Sequence, residues 1–153
     1  MKIAVGIVIF GNNLVFIRRK KEPFKGVLIL PGGKIKDKET PENALIRKIH
    51  EETGLTVTQN ELVGEFYESL IENGKVYGHE ISIFLCSATG VVKSSGEIEL
   101  IEVNELGSRK DDIVPSDYKM IEKALLNGER GFTHEVSVKK VDNAYTIFSE
   151  AVL

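Results

Sequence analysis

Two adjacent carboxylates, Glu51 and Glu52, close a charged stretch that begins after a glycine pair, Gly32 and Gly33, and also holds Glu39, Arg47 and Lys48. Side-by-side carboxylates with loop carbonyls nearby are hard oxygen donors of the kind Mg²⁺ selects. Their position is informative. Pro41 to Thr53 reads as a helix, with Thr40 as N-cap, Pro41 at the first position and Gly54 where a left-handed C-cap favours glycine. Glu51 and Glu52 therefore sit at the negative end of the helix dipole, and a bound cation would reverse that penalty. A Glu-Glu pair taken alone is more often a solvated helix end. Leu45, Ile46 and Ile49 give this helix an apolar face that can lie on a sheet. Pro31-Gly32-Gly33 reads as a turn, so the stretch is loop, helix, loop.

The same stretch resembles the box of the Nudix hydrolases, G-x5-E-x7-R-E-U-x-E-E-x-G-U with U aliphatic. Gly33, Glu39, Arg47, Ile49, Glu51, Glu52, Gly54 and Leu55 occupy eight of its nine fixed positions, and Leu30-Pro31-Gly32 resembles the usual entry. The ninth holds Lys48 where the family has a Glu that is often the general base or a metal contact. Lys48 precedes Glu51 by three residues and Glu52 by four, within reach on a helix. A unit-charge contact at about 4 Å and an effective dielectric near ~20 is on the order of 4 kcal/mol, so an ammonium held there competes with Mg²⁺. Three outcomes are open: another carboxylate serves as base, Lys48 holds a substrate phosphate, or the protein binds without turning over.

The resemblance implies an α+β fold, an α/β/α sandwich with a mixed sheet and helices on both faces, in a single domain over residues 1–153. It implies hydrolysis of a pyrophosphate bond in a nucleoside diphosphate linked to another group, with Mg²⁺ or Mn²⁺ as cofactor. Substrates in the family include nucleoside triphosphates, oxidised nucleotides, ADP-ribose and nucleotide sugars. Carried over by position, Glu51, Glu52 and the Gly32 carbonyl are metal ligands. Glu39 and Arg47 form the supporting ion pair of the catalytic box. Relatives often draw a further carboxylate from the chain just before an aliphatic run ending in Glu-Leu. Glu97 fits that place, with Glu99 second, and either could replace the base lost at Lys48. The alternative class is a Nudix-fold module that binds a nucleotide or regulates a partner without catalysis.

The remaining elements must position these groups. Ile3–Phe10 is an apolar, Val- and Ile-rich strand, turning at Gly11-Asn12-Asn13 into Leu14–Arg18. Arg18 and Arg19 follow, either as a solvated strand end or as cations for a substrate phosphate. Val27–Leu30 is a short strand entering the box. Leu55–Val57, Leu62–Ile71 and Lys75–Ala88 read as strands, the last two joined at Asn73-Gly74. Glu97 to Leu106 alternates acid and apolar residues as a strand with an acidic face. Ser116 caps a helix from Asp117 to about Asn127, with Tyr118, Ile121, Leu125 and Leu126 inward and Gly128 ending it. In the family this helix covers the sheet face opposite the box helix. Thr133–Val141 and Tyr145–Phe148 are two extra strands, about 132–148 in the tail from Phe132 to Leu153, around Asp142-Asn143. They could complete the sheet, cover the pocket or pair with a second subunit as a homodimer. With no tryptophan, base stacking falls to Phe24, Tyr67 or Tyr77. His79 reads as a surface residue and Cys86 as core packing.

Composition narrows the class. With 42% hydrophobic and 28% charged residues the chain is an ordinary globular one. A net charge of −3 gives no electrostatic case for nucleic acid, so the expected partner is a small nucleotide. The single cysteine excludes an internal disulfide and suits a reducing cytoplasm. No apolar run is long enough to span a bilayer, and the Met1-Lys2 start does not read as a signal peptide.

Overall fold

The computed structural model describes all residues from Met1 to Leu153. Strand β1 (Lys2–Phe10) is its axis, because its side chains are buried on both faces. Ala4 and Val8 point to one face, Val5 and Ile7 to the other. The first face receives α1 (Pro41–Thr53) through Ala44, Leu45 and Ile49. The second receives α2 (Pro115–Ile121) and the π-helical turn of residues 122–126, through Tyr118, Met120, Ile121 and Ala124. Helices thus lie on opposite faces of one sheet, as expected.

The sheet contains β2 (Asn13–Arg18), β3 (Leu28–Ile29), β4 (Gly32–Lys34), β5 (Thr56–Glu72), β6 (Lys75–Thr89), β7 (Ile98–Glu102), β8 (Phe132–Val141) and β9 (Ala144–Val152). Its order is β3-β2-β1-β6-β5-β8-β9, with β4 on β1 and β7 on β2. β6 runs parallel to β1, and β8 parallel to β5. On its other edge β1 is shared: Ile9 and Phe10 pair with β2, whereas Ile3, Ala4 and Val5 pair with β4. That division draws the box backbone into the sheet.

Several elements differ from their sequence reading. Gly32 and Gly33 are strand, not turn, because the free half of β1 supplies hydrogen-bonding partners that low β-propensity cannot veto. Residues 56–72 form one strand with two bulges, at Val57/Gln59 and Leu62/Gly64, rather than two strands. Val27–Leu30 shortens to two residues in β3. The acidic strand ends at Glu102 and continues as 3₁₀ turns. Ser116 does not cap α2: Val114 is the N-cap, Pro115 takes the first position, and the Ser116 hydroxyl is buried against Glu68. Leu126 is exposed, since the π turn rotates it off the core. The C-terminal strands complete the sheet as a β8–β9 hairpin.

Candidate active site

Helix α1 delivers the acidic pair as its sequence foretells. Thr40 Oγ1 accepts the Asn43 N–H at 3.1 Å, and Gly54 ends the helix at φ +80° with its N–H on His50 O. The Lys93 ammonium donates to the Glu51 carbonyl, and the Lys93 N–H to the Thr53 carbonyl, which adds positive charge at the negative helix end. No local signal in the sequence singles out Lys93 for that role.

Glu39 and Arg47 form the ion pair expected of them. Arg47 Nε and Nη2 donate to the two Glu39 oxygens at 2.8 and 2.9 Å, and Nη2 also reaches the Lys34 carbonyl at 3.1 Å. This contact holds the Glu39 carboxyl down to about pH 2. The same guanidinium meets Glu51 Oε1 at 3.3 Å, and Lys48 Nζ lies 3.6 Å from Glu51 Oε2. Burial pushes the Glu51 carboxyl up, but Arg47 and Lys48 together outweigh it and leave it below its ordinary value. The Lys48 side chain lies across Gly33, where a Cβ would come within 2.5 Å of Lys48 Cε.

Glu52 is differently placed. Its Oε1 accepts the Gly32 N–H at 2.9 Å, tying the end of α1 to β4. Burial raises its pKa against the opposing pull of Gly32, Lys48 and Arg19. Gly32, whose carbonyl is the expected metal ligand, meets this box carboxylate through its N–H. Gly32 itself has φ +151°, and a Cβ there would fall 2.1 Å from the Ala4 carbonyl oxygen, so only glycine permits β4 to approach β1.

Glu52 shares a cleft of about 190 Å³ with Arg18, Arg19, Lys20 and Glu97. Glu97 is paired only with Lys20, at 3.1 Å. Glu99 is not available in the same way, because Arg18 and Arg109 both bind it, at 2.6 and 3.0 Å. Arg18 is occupied as well: it makes a two-pronged contact to Asp112 at 2.9 and 2.8 Å and holds that carboxyl at a pKa of about 2. Arg19 has no carboxylate partner, its guanidinium resting on the carbonyls of Lys21, Glu22 and Pro23. Of the two arginines, Arg19 is therefore the one free to meet a phosphate.

A cavity of about 340 Å³ adjoins the cleft and shares Arg19 and Ile29 with it. Gly32, Gly33 and Lys34 form its box-side wall, and Phe24, Tyr77, Ile3 and Ile81 its apolar walls. Tyr67 lies outside this cavity and is exposed. Three polar groups at its base were not singled out by motif. Glu68 is buried, bonded to the Ser116 hydroxyl and to His79 Nδ1 at 3.1 Å. Asp117 accepts the Leu30 N–H at 2.8 Å, and burial, with the Glu68 charge second, raises its pKa to about 8. His79 is thus a half-buried cavity residue, not a surface one, because its pairing with Glu68 draws it inward. Cys86 is core, its thiol pushed up to about 12 by burial.

As donors, Glu51, Glu52 and Glu97 suit a divalent cation: all are hard carboxylate oxygens, and Glu52 is half-buried, so that a cation would offset the desolvation that raises its pKa. They do not converge in advance, since no three acidic, histidine or cysteine side chains form a ready cluster.

The NUDIX domain profile matches residues 1–124, and the chain belongs to that family. It is 39% identical over 106 residues to an ADP-ribose pyrophosphatase of Methanocaldococcus jannaschii, covering 66% of this chain and 61% of that one. It is 44% identical over 61 residues to an 8-oxo-dGTP diphosphatase of Proteus vulgaris, covering 39% and 54%. The chain spans a little over half the length of these relatives. The crystal structure of a MutT protein from Bacillus halodurans superposes with a TM-score of 0.75 at 21% identity, over 99% of this chain and 96% of that one. No helix is long and apolar enough to cross a membrane.

Proposed function

We propose that the protein hydrolyses the pyrophosphate bond of a nucleoside diphosphate linked to a further group. One observation carries this reading: a nucleoside-sized cavity and a carboxylate-lined cleft meet at Arg19, an arginine with no carboxylate partner. The kinship with relatives named as an ADP-ribose pyrophosphatase and an 8-oxo-dGTP diphosphatase supports the same bond type.

Within this reading Arg19 binds the diphosphate, and the nucleoside enters the cavity between Phe24 and Tyr77 over Glu68 and Asp117. Protonated at neutral pH, Asp117 can donate as well as accept, which suits the mixed edge of a purine. Glu51, Glu52 and Glu97 would hold Mg²⁺ or Mn²⁺. When bound, the ion neutralises diphosphate charge and acidifies water. Arg47, fixed by Glu39, orients Glu51, while the Gly32 N–H fixes Glu52. A water oxygen adds to one phosphorus, the bridging P–O bond breaks, and the second phosphoryl group leaves with its oxygen. Glu97, held only by Lys20, takes the water's proton in place of the carboxylate that Lys48 replaces. A lone, buried thiol suits a cytoplasmic setting.

The Lys48–Glu51 contact favours a second reading, a nucleotide-binding module without turnover. Phosphate and pyrophosphate release from nucleoside triphosphates, ADP-ribose and nucleotide sugars with Mg²⁺ separates the two. The first reading expects turnover that falls at least about 100-fold in Glu52→Gln and rises in Lys48→Glu. Silence of the natural protein, with activity appearing only in Lys48→Glu, would establish the second.

A further inference from the structure

We infer that the C-terminal hairpin, outside the matched residues 1–124, shapes the nucleoside cavity, with Tyr145 as a positioning residue that holds Phe24 in place as its wall. The inference rests on the cavity assigned above.

Residues 19–27, between β2 and β3, have no regular secondary structure, and five of their residues line or border the site: Arg19, Pro23, Phe24 and, in the cleft, Lys20 and Lys21. Phe24 occupies a left-handed backbone conformation, φ +65°, a poor one for an aromatic residue. It is nevertheless 7% exposed, so something outside its own loop must hold it there. That something comes from β9. The Tyr145 ring stacks on Phe24 with centroids 4.9 Å apart and planes tilted by 56°.

Tyr145 is itself anchored. Its hydroxyl donates to Glu72, which is 1% exposed and sits at the end of β5, and Lys140 Nζ lies 3.6 Å from the same Glu72 oxygen. Glu72 falls in the inward register of β5 with Phe66, Glu68 and Leu70, so the anchor and the acid at the cavity base share one strand face. A second tether joins the loop to the β5–β6 turn, where Asn73 Nδ2 donates to Glu22 Oε1 at 3.2 Å. The chain from β5 through Tyr145 to Phe24 is thus continuous, and Arg19, hydrogen-bonded to the Pro23 carbonyl at 2.6 Å, hangs from the same loop. Removing the Tyr145 ring frees both the aromatic wall and the phosphate-facing arginine, without touching a box residue.

Two readouts test this on the full chain. Trypsin reports the loop directly, since Lys21 and Lys25 are exposed within it. Tyr145→Ala is expected to speed cleavage after Lys21 and Lys25 while cleavage elsewhere keeps its natural rate. For whichever nucleotide the protein hydrolyses, KM should rise about five- to tenfold with kcat changed less than about twofold, because substrate positioning and not the box is disturbed. Tyr145→Phe keeps the ring and should restore both readouts, although losing the bond to Glu72 lowers its melting temperature. A merely structural Tyr145 would lower the melting temperature and leave KM and the cleavage pattern alone. Natural trypsin resistance at Lys21 and Lys25 in Tyr145→Ala would overturn the inference. Should that variant not fold, Tyr145→Leu, apolar but ringless, carries the same test. The trypsin result stands even if the natural protein turns over no nucleotide, an outcome that would remove the proposed function instead.

Discussion

Single residues set the electrostatics of the site, and Asp117 is the clearest case. Its folded pKa, about 8, lies above the ordinary carboxyl value of 3.8, so the folded state holds a proton that the unfolded chain releases. The stability this proton confers is complete below about pH 4 and is lost as pH rises to 8. Asp117→Asn keeps an acceptor for the Leu30 N–H and carries no charge, so it should flatten that decline. At pH 8 its melting temperature should exceed that of the natural protein by several degrees, the expectation for a few kcal/mol in a chain of this size. Thermal melts at pH 5 and pH 8 check this, and parallel behaviour of the two proteins would show that Asp117 ionises freely. Asp112 has the opposite sign: held near 2 by Arg18, it stabilises above its ordinary value and ceases to do so only as pH falls through about 2. The box carboxylates were legible because their spacing is a motif. Glu68 and Asp117 belong to no motif, yet Glu68 and Glu72 alternate with Phe66 and Leu70, and that period of two places both acids on an apolar face.

At the scale of elements, the site depends on one helix and one short strand meeting at Gly32. Helix α1 was readable to its caps, because Thr40 and Gly54 act through bonds within a few residues and Pro41 through its own fixed φ. Thr40→Ala should cost about 1 kcal/mol, the usual worth of such a cap, lowering the melting temperature by about 2–4 °C with turnover preserved. β4 was not readable, since its pairing with Ala4 and Val5 depends on β1 having half an edge to spare. Gly32→Ala tests that pairing. The added Cβ cannot coexist with the Ala4 carbonyl oxygen, so β4 must leave β1 and take with it the N–H that holds Glu52. Loss of turnover with helical circular dichroism retained is the expected result; full activity would mean that Glu52 needs no such anchor. The N-cap of α2 is Val114 and not Ser116 for a similar reason, because the Ser116 hydroxyl serves a distant Glu68 rather than its own helix.

For the whole molecule, the question is whether the β8–β9 hairpin is an appendage or part of the core. The matched residues end at 124, yet β8 runs parallel to β5 from Gly64 to Ile71 and contributes Phe132, Val136 and Val138 to the larger apolar cluster. The Phe132 ring occupies the space a side chain at Gly64 would need, with a Cβ only 2.4 Å away, and it meets Phe66 edge-on at 6.0 Å. Periodicity in the sequence showed two strands there but could not say what they pair with, because a parallel partner some 70 residues away leaves no local mark. Burying three such side chains stabilises by about 1.5–3 kcal/mol each, together comparable to the roughly 5–15 kcal/mol that keeps a domain folded. Without the hairpin β5 would also become a bare edge facing solvent beside Phe66 and Leu70, a site for aggregation. A chain ending at Gly131 should therefore be insoluble or melt without a cooperative transition. If it instead stays monomeric and melts within a few degrees of the full chain, the core is complete without the hairpin, and the last strands serve the pocket alone.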